Sequence, residues 1–233
     1  MRMDFSFGLI PKIALIILPY LSFTIFSMLV ALIAGSVIAS GILKLRLSRK
    51  KILNKIALLY VGAIRCTPAV ILIFIVFYGL PFVAQFFGAD ILDYPRPFFL
   101  TVALSIMFSA TFSEVMRSAY LSVNKGQREA AISIGLSEFQ AFRRIILPQA
   151  VVHAIPNIGS AVILLFKDTS LAYTIGVIDL MGRGNLYITQ QYGRHALEAY
   201  LTVGLIYWFF VFVFEQSFAF LDRKISGGLK NGL

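Results

Sequence analysis

Apolar residues fill this chain in long runs, separated by short clusters of lysine, arginine and turn formers. The first run extends from Ile13 to Leu43, longer than the ~20 residues that cross a bilayer as one helix. Pro19 lies inside it and lacks the amide that a helix interior needs. The pattern therefore predicts a short interfacial helix near residues 9–18 and a first span over 20–42. Further spans are expected at 56–82, 97–121, 152–175 and 197–220. The opening residues include a base but no short apolar core ending in a small-residue cleavage site, so the first run reads as an uncleaved span. The expected fold class is all-α integral membrane: five transmembrane helices in a single domain over 1–233, without internal repeat or linker.

Composition agrees with the pattern. Of the 233 residues, 59% are hydrophobic and 14% charged, against about a quarter charged in a soluble domain; the mean hydropathy is +0.85. A net charge of +10 would suggest nucleic-acid binding in a soluble protein. Here the bases collect in alternate connections, which fits a membrane-lipid environment and no nucleic acid. The connection after the first span holds Lys44, Arg46, Arg49, Lys50, Lys51 and Lys55. That after the second has Asp90, Asp93 and Arg96, and that after the third has Arg117, Lys125, Arg128, Arg143 and Arg144. Asp179, Arg183 and Arg194 follow the fourth, and the tail carries Arg223, Lys224 and Lys230. By the positive-inside rule the N-terminus is outside, the C-terminus is cytoplasmic, and the third connection faces the cytoplasm.

Several chemistries are excluded. Cys66 is the one cysteine, so neither an internal disulfide nor a thiolate metal site is available. His153 and His195 stand apart. There is no G-x-x-x-x-G-K-[ST] to cradle ATP, no pair of catalytic carboxylates and no metal-ligand cluster. The chain does not read as an enzyme, and energy for any transport must come from elsewhere.

The third connection, residues 126–148, is a polar insert of mostly helix-forming residues interrupted at Gly135. Ala130, Ala131 and Ile134 suggest one small apolar face, and Phe139, Phe142, Ile145 and Ile146 a second. Gly135 suits a sharp turn between two short helices, because it accepts a positive φ. Pro148 suits the first turn of the fourth span. On these features alone, an amphipathic loop lying on the lipid surface is the lesser alternative.

The order of residues adds to this. Glu129-Ala130-Ala131, then Gly135, then Ile145-x-Leu147-Pro148 resembles the EAA motif of ABC-importer permeases. "IRCTP" at 64–68, "YGLP" at 78–81, "SEVMRSA" at 113–119, "KGQREAA" at 125–131 and "KDTSLAYTIGV" at 167–177 resemble the polar amino-acid branch of that family. Cys66 departs from it, because many members have glycine there. The resemblance implies the type I importer fold, in a multi-pass protein of a prokaryotic plasma (inner) membrane. It implies that Glu129, Ala130, Ala131, Gly135, Ile145, Leu147 and Pro148 form a coupling helix pair that docks on an ATPase subunit. It also implies two cytoplasmic ATPase subunits, which would hold ATP and Mg while this chain binds no cofactor. A second permease copy or a similar permease and an extracytoplasmic amino-acid-binding protein complete the implied assembly.

Charges at membrane depth supply substrate-path candidates. A charge at mid-bilayer costs ~2.5–3.5 kcal/mol on insertion scales and so faces a partner or water. Arg65 and Glu114 are expected at similar depth on neighbouring spans. They would form either a pair that orients the helices or a substrate contact. Lys167, Asp168 and Thr169 form the most polar cluster in any span. Asp168 suits an ammonium, and Lys167 or Arg65 a carboxylate. Thr67 and Thr169 add neutral hydroxyls. A Lys167–Asp168 mutual pair is the competing arrangement. Pro68, Gly79 and Pro81 mark possible breaks in the second span.

The expected function is ATP-driven import of a polar amino acid by alternating access, from the cystine, glutamine, histidine or arginine class, with the resemblance of "FQAFRRIILPQA" and "KDTSLAYTIGV" favouring a cystine type. An ion-driven secondary carrier would show more spans and an internal repeat. A non-transporting scaffold would explain the insert but not the polar cluster of the fourth span.

Overall fold

The structure, a computed structural model, describes residues 5–230; the expectation for the extreme N-terminus bears on residues 1–4, outside the described residues. All regular structure among the described residues is helical. Helix α1 (Leu9–Ile17) leads through a 3-10 turn at Leu18–Tyr20 into α2 (Leu21–Arg46). Pro19 sits at the start of that turn, where its missing amide has no helical partner to lose. Lys44 and Arg46 close α2, placing positive charge at its negative dipole end.

The second span departs from the single expected helix. It is α3 (Lys51–Cys66) and α4 (Ala69–Phe86), broken at Thr67 and Pro68. A residue before proline is driven to extended backbone, and Thr67 has φ −93° and ψ 132°. Pro81, by contrast, remains inside α4. Cys66 is the last helical residue and needs no positive φ. Helix α5 (Arg96–Ser122) crosses back, with Pro97 in its first turn.

The insert comprises α6 (Lys125–Ser133), α7 (Glu138–Ala141) and a π-helical turn at Phe142–Ile146 that merges into α8 (Leu147–Asp168). Pro148 occupies the first turn of α8. A 3-10 run, Thr169–Ile175, completes the fourth span. An unexpected helix, α9 (Leu180–Gln190), precedes α10 (Ala196–Lys230).

Five segments are long and apolar enough to cross a membrane: Leu9–Arg46, Ala69–Phe86, Arg96–Ser122, Glu138–Ile175 and Ala196–Ile225. Helix α5 is the axis: Leu100, Ala103, Leu104 and Phe108 pack with Met28 and Ala31 of α2, Leu72 and Ile73 of α4, and Leu165 and Phe166 of α8. The α2–α5 crossing depends on small residues, as in membrane helix pairs generally. A Cβ added to Gly35 would stand 2.8 Å from the Ser105 carbonyl oxygen. Trp208, Phe209 and Phe212 on α10, and Tyr78, Phe82 and Phe86 on α4, face outward. That apolar exterior is what lipid solvates and water would not.

At the end opposite the insert, Asp179 begins α9, and its Oδ1 accepts from the Gly182 amide at 2.7 Å. The side chain is buried. Burial raises its carboxyl to about 6 against the lowering effect of backbone hydrogen bonds. His195, expected to stand alone, approaches Glu198 Oε1 with Nδ1 at 3.3 Å, and the Ser6 amide donates to the same oxygen at 3.1 Å.

Candidate functional site

The broken second span creates a cavity of about 180 Å³ in the middle of the bundle. Its polar lining is Arg65 from the last turn of α3, Thr67 from the break, Thr111 from α5 and Asp168 from the end of α8. Leu72, Met107, Phe108 and Leu165 supply apolar walls. The Thr67 hydroxyl donates back to Ala63 O at 2.8 Å, securing the end of α3. Helix α4 begins at the cavity wall with Ala69; the Ile71 and Leu72 amides already donate to Pro68 O, so the donors that the helix itself does not pair are those of Ala69 and Val70, which start beside Arg65. The cavity therefore offers a guanidinium and a helix N-terminus on one side and a carboxylate on another. A zwitterion presents the complementary groups.

Neither Arg65 nor Asp168 makes an ion pair among the described residues. The expected Arg65–Glu114 pair does not form. Glu114 binds Arg46 and Arg117 instead, each at 2.8 Å. Arg65 lines the cavity with Met107 and Phe108. Glu114 lies about 10 Å further along α5, by the 1.5 Å rise per residue. The Lys167–Asp168 pair is absent too. Lys167 is exposed and outside the cavity lining, while Asp168 turns into it. Thr169 is buried and its hydroxyl donates to Phe166 O at 2.7 Å, which satisfies it locally. Of the six path candidates, Arg65, Thr67 and Asp168 converge, whereas Glu114, Lys167 and Thr169 do not.

Two features were missed. Thr111 sits at i+3 and i+4 from Phe108 and Met107, a signal readable only once α5 is known to face Arg65. Arg46 counted as one base among several in a loop, yet it ends α2 and ties it to α5.

The insert is built by local rules. The Asn124 side chain caps α6, accepting from the Gly126 amide at 2.8 Å. Gly135 has φ +88° and turns the chain, with Gly135 N–H donating to Ile132 O and Leu136 N–H to Ala131 O. Ser137 and Gln140 form a capping box at α7. Arg128 reaches across the turn, with Nε donating to Glu138 Oε2 at 2.9 Å and a second contact joining Arg128 Nη2 to Glu138 Oε1. The expected face of Ala130, Ala131 and Ile134 divides: Ala131 is buried, while Ala130 and Ile134 are exposed. The second face divides likewise, because the π-helical turn rotates successive residues away from α-helical register. Phe139 and Phe142 are exposed and Ile146 is buried against Ala119, Val123 and Ala150. Ile132, Ile134 and Phe139 therefore form an uncovered apolar tip beside Glu129, which is also exposed.

A five-span helical bundle with a central polar cavity and a two-helix insert presenting an apolar tip is the architecture of an importer's membrane-spanning permease. The chain belongs to the family described as binding-protein-dependent transport system inner membrane component, whose model matches residues 31–227. Within it, the chain is an amino-acid ABC importer permease of the type I fold. It is 38% identical over 227 residues to the L-cystine transport system permease protein TcyL of Bacillus subtilis (strain 168), covering 97% of this chain and 94% of that one. Another relative from the same organism, the probable amino-acid permease protein YxeN, is 35% identical over 211 residues, covering 88% and 89%. Among solved structures, an amino acid ABC transporter with histidines superposes with a TM-score of 0.82 at 26% identity, covering 95% of this chain and 100% of that one. The inward-facing MetNI methionine ABC transporter, at 18% identity and a TM-score of 0.68 over 95% of this chain and 99% of that one, shares the fold.

Proposed function

We propose that this permease subunit carries a polar amino acid of the cystine, glutamine, histidine or arginine class through the cavity between Arg65 and Asp168. The observation that carries the reading is the convergence of Arg65, Thr67, Thr111 and Asp168 on one mid-bundle space, with both charges lacking a protein partner among the described residues. Arg65, with the Ala69 amide at the start of α4, takes the substrate carboxylate, Asp168 takes the ammonium, and the two threonines orient it. Similarity to an L-cystine permease favours a cystine-type substrate.

ATP and Mg belong to two ATPase subunits, and this chain holds no cofactor. The ATPases seat on the insert through Glu129, Ala130 and Ile134, with Gly135 setting the turn and Ile145, Leu147 and Pro148 joining it to α8. The insert faces the cytoplasm, the N-terminus lies outside and the C-terminus inside. A second permease copy, or a similar one, completes the pathway, and an extracytoplasmic binding protein delivers the amino acid. ATPase closure pushes the insert and opens the cavity outward; hydrolysis returns it inward.

The test is uptake by proteoliposomes containing the permease, its ATPase and its binding protein, with a panel of labelled amino acids. ATP-dependent uptake of one of them is expected, reduced at least tenfold by Arg65→Gln or Asp168→Asn while the ATPase stays bound. Uptake driven by an ion gradient without ATP, or retained in both variants, would overturn the reading.

A further inference from the structure

Helix α8 carries a polar face that the rest of the described chain leaves uncovered. His153, Asn157, Ser160, Leu164 and Lys167 are exposed and recur at alternating steps of four and three residues, the spacing of one helical stripe. The other side of α8 is packed, with Ala161, Leu165 and Phe166 in the main core and Ala150 and Ala154 beside Ala119. Ser160 Oγ donates to Pro156 O at 3.2 Å. The side chains of Asn157 and Lys167 have no hydrogen-bond or ion-pair partner among the described residues. The other outward-facing spans differ. Ile33 and Val37 on α2, Ile71 and Ile75 on α4, and Leu205 and Phe209 on α10 are exposed and apolar. Those faces suit lipid. An amide and an ammonium do not, and within a span such groups face protein or water.

The stripe runs into the mouth of the central cavity. Leu164 belongs to both, and Asp168, half-buried, lies where α8 ends. Arg65, another lining residue, is exposed, so this chain alone does not enclose the cavity. Lys167 and Asp168 are successive residues, so they point about 100° apart and flank the midline of the stripe from opposite sides. Two copies inserted in the same direction are related by a two-fold axis along the membrane normal. Where α8 meets its counterpart across such an axis, the left flank of one stripe meets the right flank of the other at the same depth. Lys167 of each copy then opposes Asp168 of the other, within the ~1.5 Å rise between neighbours. Asn157 and Ser160, nearer the midline, both donate and accept, and so can pair with their own counterparts. The face is complementary to itself in charge and in hydrogen bonding.

The geometry points to the polar face of α8 as the interface with a second copy of this chain, in which Lys167 of the partner subunit reaches Asp168 and closes the open side of the central cavity. A carboxylate has two oxygens, so Asp168 accepts from that ammonium with one and from the substrate's ammonium with the other. Lys167 is a positioning residue: it holds the partner's acid ionised and fixes its direction. Each cavity is thereby completed by the other subunit, and two copies hold two equivalent sites across the axis. The inference rests on the reading that a second permease completes the pathway, and it adds the face and the residue through which that happens.

The test uses the assembled permease–ATPase complex in lipid nanodiscs, with Cys66→Ser removing the native thiol. Asn157→Cys and Ser160→Cys are expected to give a crosslinked permease dimer with a short bis-maleimide. Val37→Cys on α2 and Phe209→Cys on α10 should stay monomeric on a denaturing gel. Intact-mass spectrometry of the crosslinked product should read two copies of this chain. Uptake is measured in matched proteoliposomes with labelled L-cystine, L-glutamine, L-histidine and L-arginine. Lys167→Gln should raise the KM about tenfold with kcat within twofold, and Lys167→Arg should recover most of the loss. Crosslinking through α2 or α10 in place of α8 would overturn this interface and leave the paired-permease reading standing. So would a product that joins this chain to a different permease. Crosslinking at α8 with the KM unchanged in Lys167→Gln would overturn the Lys167–Asp168 contact. A complex that holds a single permease would overturn both the interface and the reading beneath it.

Discussion

Arg46 donates to Glu114 through Nη2 at 2.8 Å, fixing the last turn of α2 to α5 at the insert end of the bundle. Arg117, one turn on from Glu114, takes the other carboxylate oxygen. Arg46 and Glu114 are largely buried, at 10% and 16% side-chain exposure, and Arg117 is partly buried at 31%. Removing one member leaves an uncompensated charge, which costs ~3–5 kcal/mol for a buried pair. Glu114→Ala is therefore expected to lower the melting midpoint of the detergent-purified complex markedly. The double variant Arg46→Met/Glu114→Met should be less damaging than the two single changes summed. Additive losses would show that the pair is not coupled.

Gly135 carries the insert's turn at φ +88°. An alanine there meets no neighbour, since nothing lies within 4 Å of its Cβ, so the effect isolates backbone strain of roughly 1–2 kcal/mol. Gly135→Ala is expected to weaken ATPase co-purification severalfold while leaving the melting midpoint of the permease nearly unchanged. Full ATPase recovery with Gly135→Ala and with Gly135→Pro would remove the insert from the coupling role.

Gly35 tests the helix crossing. With Ser105 O and Phe108 already within 3.0 Å of a built Cβ, Gly35→Ala forces α2 and α5 apart, at a cost of ~1–3 kcal/mol for overpacking. A lower midpoint is expected for Gly35→Ala, and loss of monodisperse protein on size-exclusion chromatography for Gly35→Leu. Gly41→Ala, where nothing lies within 4 Å, serves as the neutral control.

Asp179 should make stability pH-dependent. Its folded carboxyl, raised by burial to about 6 from an ordinary 3.8, binds a proton more readily than the unfolded one. Its contribution is thus complete below about pH 4 and lost as pH rises through 6, an effect on the order of 2–3 kcal/mol. Thermal midpoints between pH 4 and 7 are expected to fall more steeply for wild type than for Asp179→Asn. Parallel slopes would place the titration elsewhere.

The spans and the turn at Gly135 were legible in the sequence because apolar length and a lone glycine act locally. Side-chain meetings across helices were not, because they depend on stagger. With α3 beginning at Lys51, Arg65 stands about 21 Å along it, deeper than a helix starting near residue 56 would place it. That shift separates Arg65 from Glu114 and brings it level with Asp168. Helix α9 escaped notice because "LMGRGNLYITQ" contains two glycines and no long apolar run. It is held by tertiary contacts, Leu180 packing with Ile13, Ile17 and Val203.

Cys66 is exposed at the end of α3, in sequence between two residues of the inner cavity, and it is the sequence's one thiol. A maleimide or nitroxide reagent would therefore attach to the unaltered chain at a single point, beside the proposed path. Membrane-impermeant versions, applied from each face in turn, would convert that accident of composition into a built-in reporter of when the passage opens and toward which compartment.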